Sequence, residues 1–294
     1  MIKIPAYAKI NLFLEVTARR PDGYHDLVTL FARVGVADRL YFRKSDTPGI
    51  KLSVIGGPRE LGYKADNIVY KAAVEFFKLF NLEPAVEIKL EKLIPVGAGL
   101  GGGSSDAAAA LLGLAKLYKL PRKKNMGRLR KLAASLGSDV PFFMLNAMAA
   151  EGRGRGEKLK ALEFKGRLPY VVLVYPGAPV YTKEVYGNLK VGAKADIKER
   201  LSAFAKLRGL LERGSFSPEH AELLFNRLEE PVLPRHRAVR MAKAQLANFG
   251  GEAVLMSGSG ATVFALCWNA ALARKVAAKA GRIRGYKIFL TKFC

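Results

Sequence analysis

The sequence is short of cysteine, histidine, tryptophan and acid. Two cysteines, Cys267 and Cys294, cannot build the disulfide framework of a small secreted domain. With only three histidines beside them, they also leave little for a zinc centre. No apolar run approaches the roughly 18–20 residues that a membrane-spanning helix needs. The opening stretch MIKIPAYAKINLFLEV lacks a basic start, an apolar segment and a small-residue cleavage site, and it is not rich in Ser and Arg. It therefore reads as a strand of the fold. The expectation is a cytoplasmic protein without a membrane segment, acting as a monomer or weak homodimer.

Acid is outnumbered most heavily: 25 Asp and Glu face 49 Lys and Arg, a formal net charge of +24. Eight of the sixteen residues from Lys116 to Lys131 are basic. Clustered cations release counterions from phosphates, so nucleic acid is one reading. The excess, however, recurs from Arg153 to Arg167 and from Lys190 to Arg213, and no aromatic-interleaved RNA motif accompanies it. Composition thus favours a solvated basic surface over nucleic-acid binding, and a positive field equally steers a polyanionic small molecule.

What is present suffices for one large core or two of ordinary size in 294 residues. Four strand-like segments fill the first 56 residues (IKIPAYAKINLFLEVT, LVTLFARV, RLYFRK and IKLSVI), separated by turn signals. Asp66 or Asn67 can cap a helix from about Ile68 to Phe80, and Ala85 to Glu91 alternates like a strand. Helices are expected over Ser105 to Tyr118 and Met126 to Leu136, the second ended by Gly137 in a left-handed cap. Strands follow near 147–151 and 170–175, then helical patterns over most of 183–248. Strands at 253–256, 262–267 and 286–291, with a helix at 270–280, complete an α+β chain. A boundary near residue 160 gives two domains, 1–160 and 161–294.

The segment from Pro95 to Ala110, PVGAGLGGGSSDAAAA, is the strongest local signal. Five glycines in the seven positions from Gly97 to Gly103 let the backbone approach a ligand with no Cβ in the way. A helix with capping candidates Ser104, Ser105 and Asp106 follows, so free N–H groups and a positive dipole end face the loop. That is an anion site, and nucleotide phosphates are its common occupants. Gly97-x-Gly99-x-x-Gly102 matches the dinucleotide fingerprint formally. The fingerprint, though, needs a βαβ unit and a later acid, and here a basic segment and a second helix follow. A Walker loop would need a lysine that Gly103-Ser104-Ser105 lacks.

Other residues stand out singly. Lys9 lies inside an apolar strand pattern, where a lysine is costly unless paired. Asp139, ahead of Val140-Pro141, is by position either a helix N-cap or a base.

The proline followed by G-x-G-L-G-G-G-S-S-D-A-A resembles the phosphate motif of the GHMP kinase superfamily. Ala8-Lys9-Ile10-Asn11-Leu12, Asp22-Gly23-Tyr24-His25, Leu136-Gly137-Ser138-Asp139-Val140-Pro141-Phe142 and Ser257-Gly258-Ser259-Gly260-Ala261 resemble further motifs of one branch, in order along the chain. The resemblance implies a two-domain GHMP fold whose amino-terminal half is similar to a ribosomal S5 domain 2-like fold. It also implies ATP and Mg2+, with Pro95, Gly97, Gly99, Leu100, Gly101, Gly102, Gly103, Ser104 and Ser105 on the phosphates and Asn67, Ile68 and Lys92 near adenine. Lys9 and Asp139 become the catalytic pair, while Asn11, Tyr24, His25, Thr182 and Tyr186 become substrate contacts. The implied acceptor is the 2-hydroxyl of a cytidine diphosphate-linked methylerythritol of the non-mevalonate isoprenoid route. A homoserine- or mevalonate-type kinase is the alternative. No residue stands out as a metal ligand.

Overall fold

Residues 1–58 and 66–294 are described by the structure, a computed structural model. Contacts group them into two units, each assembled from separated segments. The first contains Met1–Ala8, Val36–Val96 and Gly101–Asn146; the second contains Lys9–Gly35, Gly97–Leu100 and Ala147–Cys294. The sequence pattern predicts a single boundary near residue 160. The grouping is discontinuous because the strands β1 (Ile2–Arg19) and β2 (His25–Lys44) each contribute to both units.

In the first unit, β4 (Ala85–Glu91) pairs antiparallel with the second half of β2, Leu40 opposite Leu90 and Phe42 opposite Ile88. β3 (Gly49–Ile55) runs parallel to β4 on its other side. The alternation of β4 turns Val86, Ile88 and Leu90 inward, towards α1 (Ile68–Phe80) and α2 (Gly102–Leu117). Each such side chain, fully buried, contributes about 1.5–3 kcal/mol. α2 is apolar nearly all round, as a helix enclosed by its neighbours must be. It comes so close to the sheet that a Cβ at Gly113 would collide with the Phe42 ring. α3 (Arg122–Leu136) and the short α4 (Val140–Phe143) complete this unit.

In the second unit the first half of β2 pairs antiparallel with β5 (Ala149–Gly154), which turns back as β6 (Lys158–Leu162). β7 (Tyr170–Tyr175), β9 (Ala253–Met256), β10 (Val263–Cys267) and β11 (Lys287–Thr291) form a four-stranded antiparallel sheet in the order β11-β7-β10-β9. β7 and β10 are near-continuous apolar runs, as strands buried on both faces require. α8 (Arg237–Asn248) and α9 (Ala270–Gly281) pack on them through Val239, Ala242, Leu246, Ala273, Val276 and Ala280. α5 (Thr182–Gly187), α6 (Lys194–Arg213), the two-residue β8 (Phe225–Asn226) and α7 (Glu229–Arg235) fill the intervening chain. Cys267 and Cys294 are free thiols.

Several expectations change. The second and third predicted strands are one strand, β2. No turn residue interrupts it at Gly35, whose missing side chain admits the Thr291 hydroxyl, 3.0 Å from where a Cβ would lie. Gly137 ends α3 with φ 170°, an extended conformation, so its role is steric rather than a left-handed cap. A Cβ there would press on Val140 at 3.3 Å. α2 begins at Gly102, three residues before Ser105, and its N-cap is Gly101 with no side-chain capping bond.

Candidate active site

The glycine loop divides at Leu100 between the two units. In the second unit, every carbonyl from Gly97 to Leu100 accepts a hydrogen bond. The donors are Val180 N at 3.4 Å, Thr262 N at 3.1 Å, the Ser257 hydroxyl at 3.0 Å and Lys9 N at 2.9 Å, in that order. In the first unit, Gly102, Gly103 and Ser104 form the first turn of α2, whose N–H groups have no intrahelical partner and no side-chain cap. Ser105 is buried, its N–H bonded to Gly101 O at 2.9 Å. Pro95 is half-buried ahead of the loop.

Lys92 lies beneath this turn. A Cβ at Gly102 would stand 3.3 Å from its Nζ and 2.9 Å from Ile94 Cγ2. The ammonium donates to Asp38 Oδ2 at 2.5 Å and to Asp106 Oδ2 at 2.7 Å, all three side chains being buried. Asp38 Oδ1 also accepts from the backbone of Leu93 and Ile94, at 2.5 and 2.8 Å. Burial alone would lower the Lys92 pKa, but Asp106 and Asp38 outweigh it and hold it above the ordinary lysine value. Burial, aided by the Asp38 charge and opposed by Lys92, pushes the Asp106 carboxyl up to about 8. So Lys92, carried to the adenine region by resemblance, anchors α2 and the strand end; Asp38 and Asp106 were not singled out in the sequence as its partners. Asn67 caps α1, accepting Val69 N at 2.9 Å. Ile68 approaches the glycine turn, 3.8 Å from a Cβ built on Gly103. Asp139 occupies the N-cap position of α4.

In the second unit, Lys9 is buried and donates to Asn11 Oδ1 at 2.7 Å. Asn11 donates to Thr29 Oγ1 at 2.8 Å, and Thr29 to Phe13 O at 2.7 Å. This chain of bonds fixes the rotamers of Lys9 and Asn11. Lys9 Nζ also lies 5.6 Å from the Phe31 ring centroid. His25 and Tyr186 face each other with ring centroids 5.1 Å apart and planes 32° apart. Burial and the Arg19 charge lower the His25 pKa, favouring the neutral imidazole. Tyr24 is half-exposed, and the Arg155 guanidinium covers its ring at 4.7 Å, a partner the sequence did not suggest. Asp22, bonded to Tyr24 N at 3.1 Å and to Arg20, braces that turn. Thr182 bonds the Ser259 hydroxyl at 2.8 Å.

The chain is similar to known proteins along most of its length. A family model described as GHMP kinases N terminal domain matches residues 67–147, and one described as GHMP kinases C terminal matches 201–287. The chain is 38% identical over 285 residues to a 4-diphosphocytidyl-2-C-methyl-D-erythritol kinase of Citrifermentans bemidjiense, covering 97% of this chain and 96% of that one. A like-named protein of Exiguobacterium sibiricum is 40% identical over 270 residues, covering 90% and 88%. A crystal structure of 4-(cytidine 5'-diphospho)-2C-methyl-D-erythritol kinase is similar at TM-score 0.78 and 35% identity, covering both chains fully. The homoserine kinase of Cytophaga hutchinsonii shares the fold at TM-score 0.76 and 19% identity, covering 99% of this chain and 94% of that one. With its glycine loop, its α+β units and full-length relatives of one name, the chain belongs to the GHMP kinases and, among them, to the 4-diphosphocytidyl-2-C-methyl-D-erythritol kinase family.

Proposed function

We propose that this ATP-dependent kinase transfers the γ-phosphoryl group of ATP to the 2-hydroxyl of 4-diphosphocytidyl-2-C-methyl-D-erythritol. The observation that carries the reading is the uncapped first turn of α2, beside a loop whose carbonyls are all engaged. Its N–H groups suit the phosphates of ATP. Asp139 takes the proton as the acceptor oxygen attacks phosphorus and the bond to ADP breaks. Lys9 stabilises the charge that develops on that oxygen, and its bond to Asn11 holds it in place.

Tyr24, with His25 and Tyr186, takes the cytosine by stacking and by hydrogen bonds from the neutral imidazole. Stacking of this kind is worth about 1–3 kcal/mol. Thr182 and Asn11 serve the polar remainder of the substrate. Among the described residues no group of three His, Cys, Asp or Glu side chains could form a metal centre. Were Mg2+ to accompany ATP, the Ser105 hydroxyl is the group of this chain that would help to hold it, and the ion would supply neutralisation of phosphate charge. No helix among the described residues is long and apolar enough to cross a membrane.

The test is ADP release from MgATP with 4-diphosphocytidyl-2-C-methyl-D-erythritol, homoserine and mevalonate offered separately. Turnover with the first alone is expected. Turnover only with homoserine or mevalonate would refute the proposal.

A further inference from the structure

The glycine turn Ser257–Ala261 faces the candidate catalytic lysine with its backbone. A Cβ added to Gly258, which has φ +54°, would lie 3.1 Å from Lys9 Nζ, 3.3 Å from Asn11 Oδ1 and 3.2 Å from Gly99 O. Gly258 is thus the wall behind the Lys9 ammonium, and wherever the turn moves, that wall moves too. The turn's own bonds, Ser257 N to Thr262 O and Gly260 N to Ser257 O, close it but do not fix its height over β1.

Beside the bonds of Ser257 and Thr262 to the glycine loop, that height is held by Asn226, on the two-residue strand β8. The side chain is buried, and both of its N–H groups are used: one donates to Met256 O and one to Gly258 O, each at 2.8 Å. Its oxygen accepts Leu228 N at 3.0 Å. Three residues on, Glu229 Oε1 accepts Met256 N at 2.8 Å, while Lys243 holds its other oxygen at 2.5 Å. The clamp is tied to the strand that carries Lys9. Phe225 and Asn226 pair with Phe13 and Leu14, Arg227 N donates to Leu14 O at 2.8 Å, and the Arg227 guanidinium grips Glu15 at 2.8 and 2.7 Å. Two donors and one acceptor in a single plane are what an asparagine offers. An aspartate of the same shape would turn acceptors on two carbonyl oxygens.

We infer that Asn226 and Glu229 are positioning residues for phosphoryl transfer: they hold the turn at 257–261 so that Gly258 backs the Lys9 ammonium. The inference rests on the reading of Lys9 above. Misplacing a catalytic group by about 1 Å can cost on the order of 100-fold in rate. Asn226→Asp in the full chain should therefore lower kcat by about 30–100-fold, with KM for ATP and acceptor changed by less than about threefold. Glu229→Ala should lose about tenfold in kcat, and Glu229→Gln, which keeps the acceptor for Met256 N, should recover most of it.

Amide hydrogen exchange provides a readout that needs no turnover: the peptide over 257–262 should exchange faster in Asn226→Asp and in Glu229→Ala. Exchange unchanged in folded variants overturns the clamp, whatever the enzyme phosphorylates. Faster exchange with wild-type kcat overturns its role in positioning. Should Asn226→Asp not fold, the Glu229 pair decides, and a kcat loss that Gln fails to restore counts against the proposal. Wild-type protein inert towards the acceptor, with exchange rising as expected, refutes the substrate reading and leaves the clamp standing.

Discussion

The two halves of the glycine loop contain the same residue type for opposite reasons. From Gly97 to Leu100 the chain is tied down, all four carbonyls bonded, and Gly99 presses on the turn at Ser257–Ala261. From Gly101 onward the glycines open a helix whose first turn carries no side-chain cap. In the first half a missing Cβ lets backbone meet backbone. In the second it leaves donors accessible, above a buried lysine and two carboxyl groups that hold the helix in place. A glycine count does not separate these uses, whereas substitution should.

The largest effect should come from removing the support of the second half. Lys92→Met leaves Asp38 and Asp106 buried without their cation, and should cost about 3–5 kcal/mol of stability. Urea unfolding would show it, and a midpoint near wild type would mean the cluster is not holding α2. Next, Gly99→Ala puts a Cβ inside the radius of the Ser257 carbonyl oxygen, at a residue with φ +73°. A loss of about 3–4 kcal/mol is expected.

Gly103→Ala should act in the other direction. Gly103 is helical and exposed, with Ile68 3.8 Å from the new methyl group, so alanine should raise stability by about 0.5–1 kcal/mol. The same methyl group stands where phosphate would approach, and KM for ATP should rise about tenfold. An alanine that destabilises the chain, or leaves KM untouched, would erase the contrast between the halves.

A further effect concerns pH. Asp106 binds its proton more tightly folded than unfolded. Its contribution to stability is therefore full below about pH 4 and is lost as pH rises through about 8. The melting-temperature difference between wild type and Asp106→Asn should shift in favour of the variant by roughly 2–4 °C per kcal/mol lost over that range, and stay constant above it. A difference independent of pH would place the ionisation elsewhere.

Much of this was legible in the sequence where the signal is local. The loop, the alternation of β4 and the period of α1 each lie within a few residues, and Lys9 and Asp139 sit in short contiguous motifs. What escaped depends on pairs far apart in the chain. Asp38 meets Lys92 across 54 residues, and Asn226 meets Met256 and Gly258 across 30 and 32. A two-residue strand has no period to detect, so β8, which carries the clamp, left no trace. The start of α2 was misplaced because Ser104, Ser105 and Asp106 are good caps by type. Asp106 instead turns to Lys92, and the cap falls to Gly101.

In the proposed reaction Asp139 and Lys9 deliver phosphate to one hydroxyl of the cytidine-linked acceptor. Phosphorus NMR of the product, formed by wild type and by Asp139→Asn at equal ATP occupancy, tests it most directly. A single new phosphomonoester at the 2-hydroxyl is expected, formed about 10²–10⁴ times more slowly by the folded variant. A phosphate on another oxygen, or equal rates for the two proteins, would contradict it.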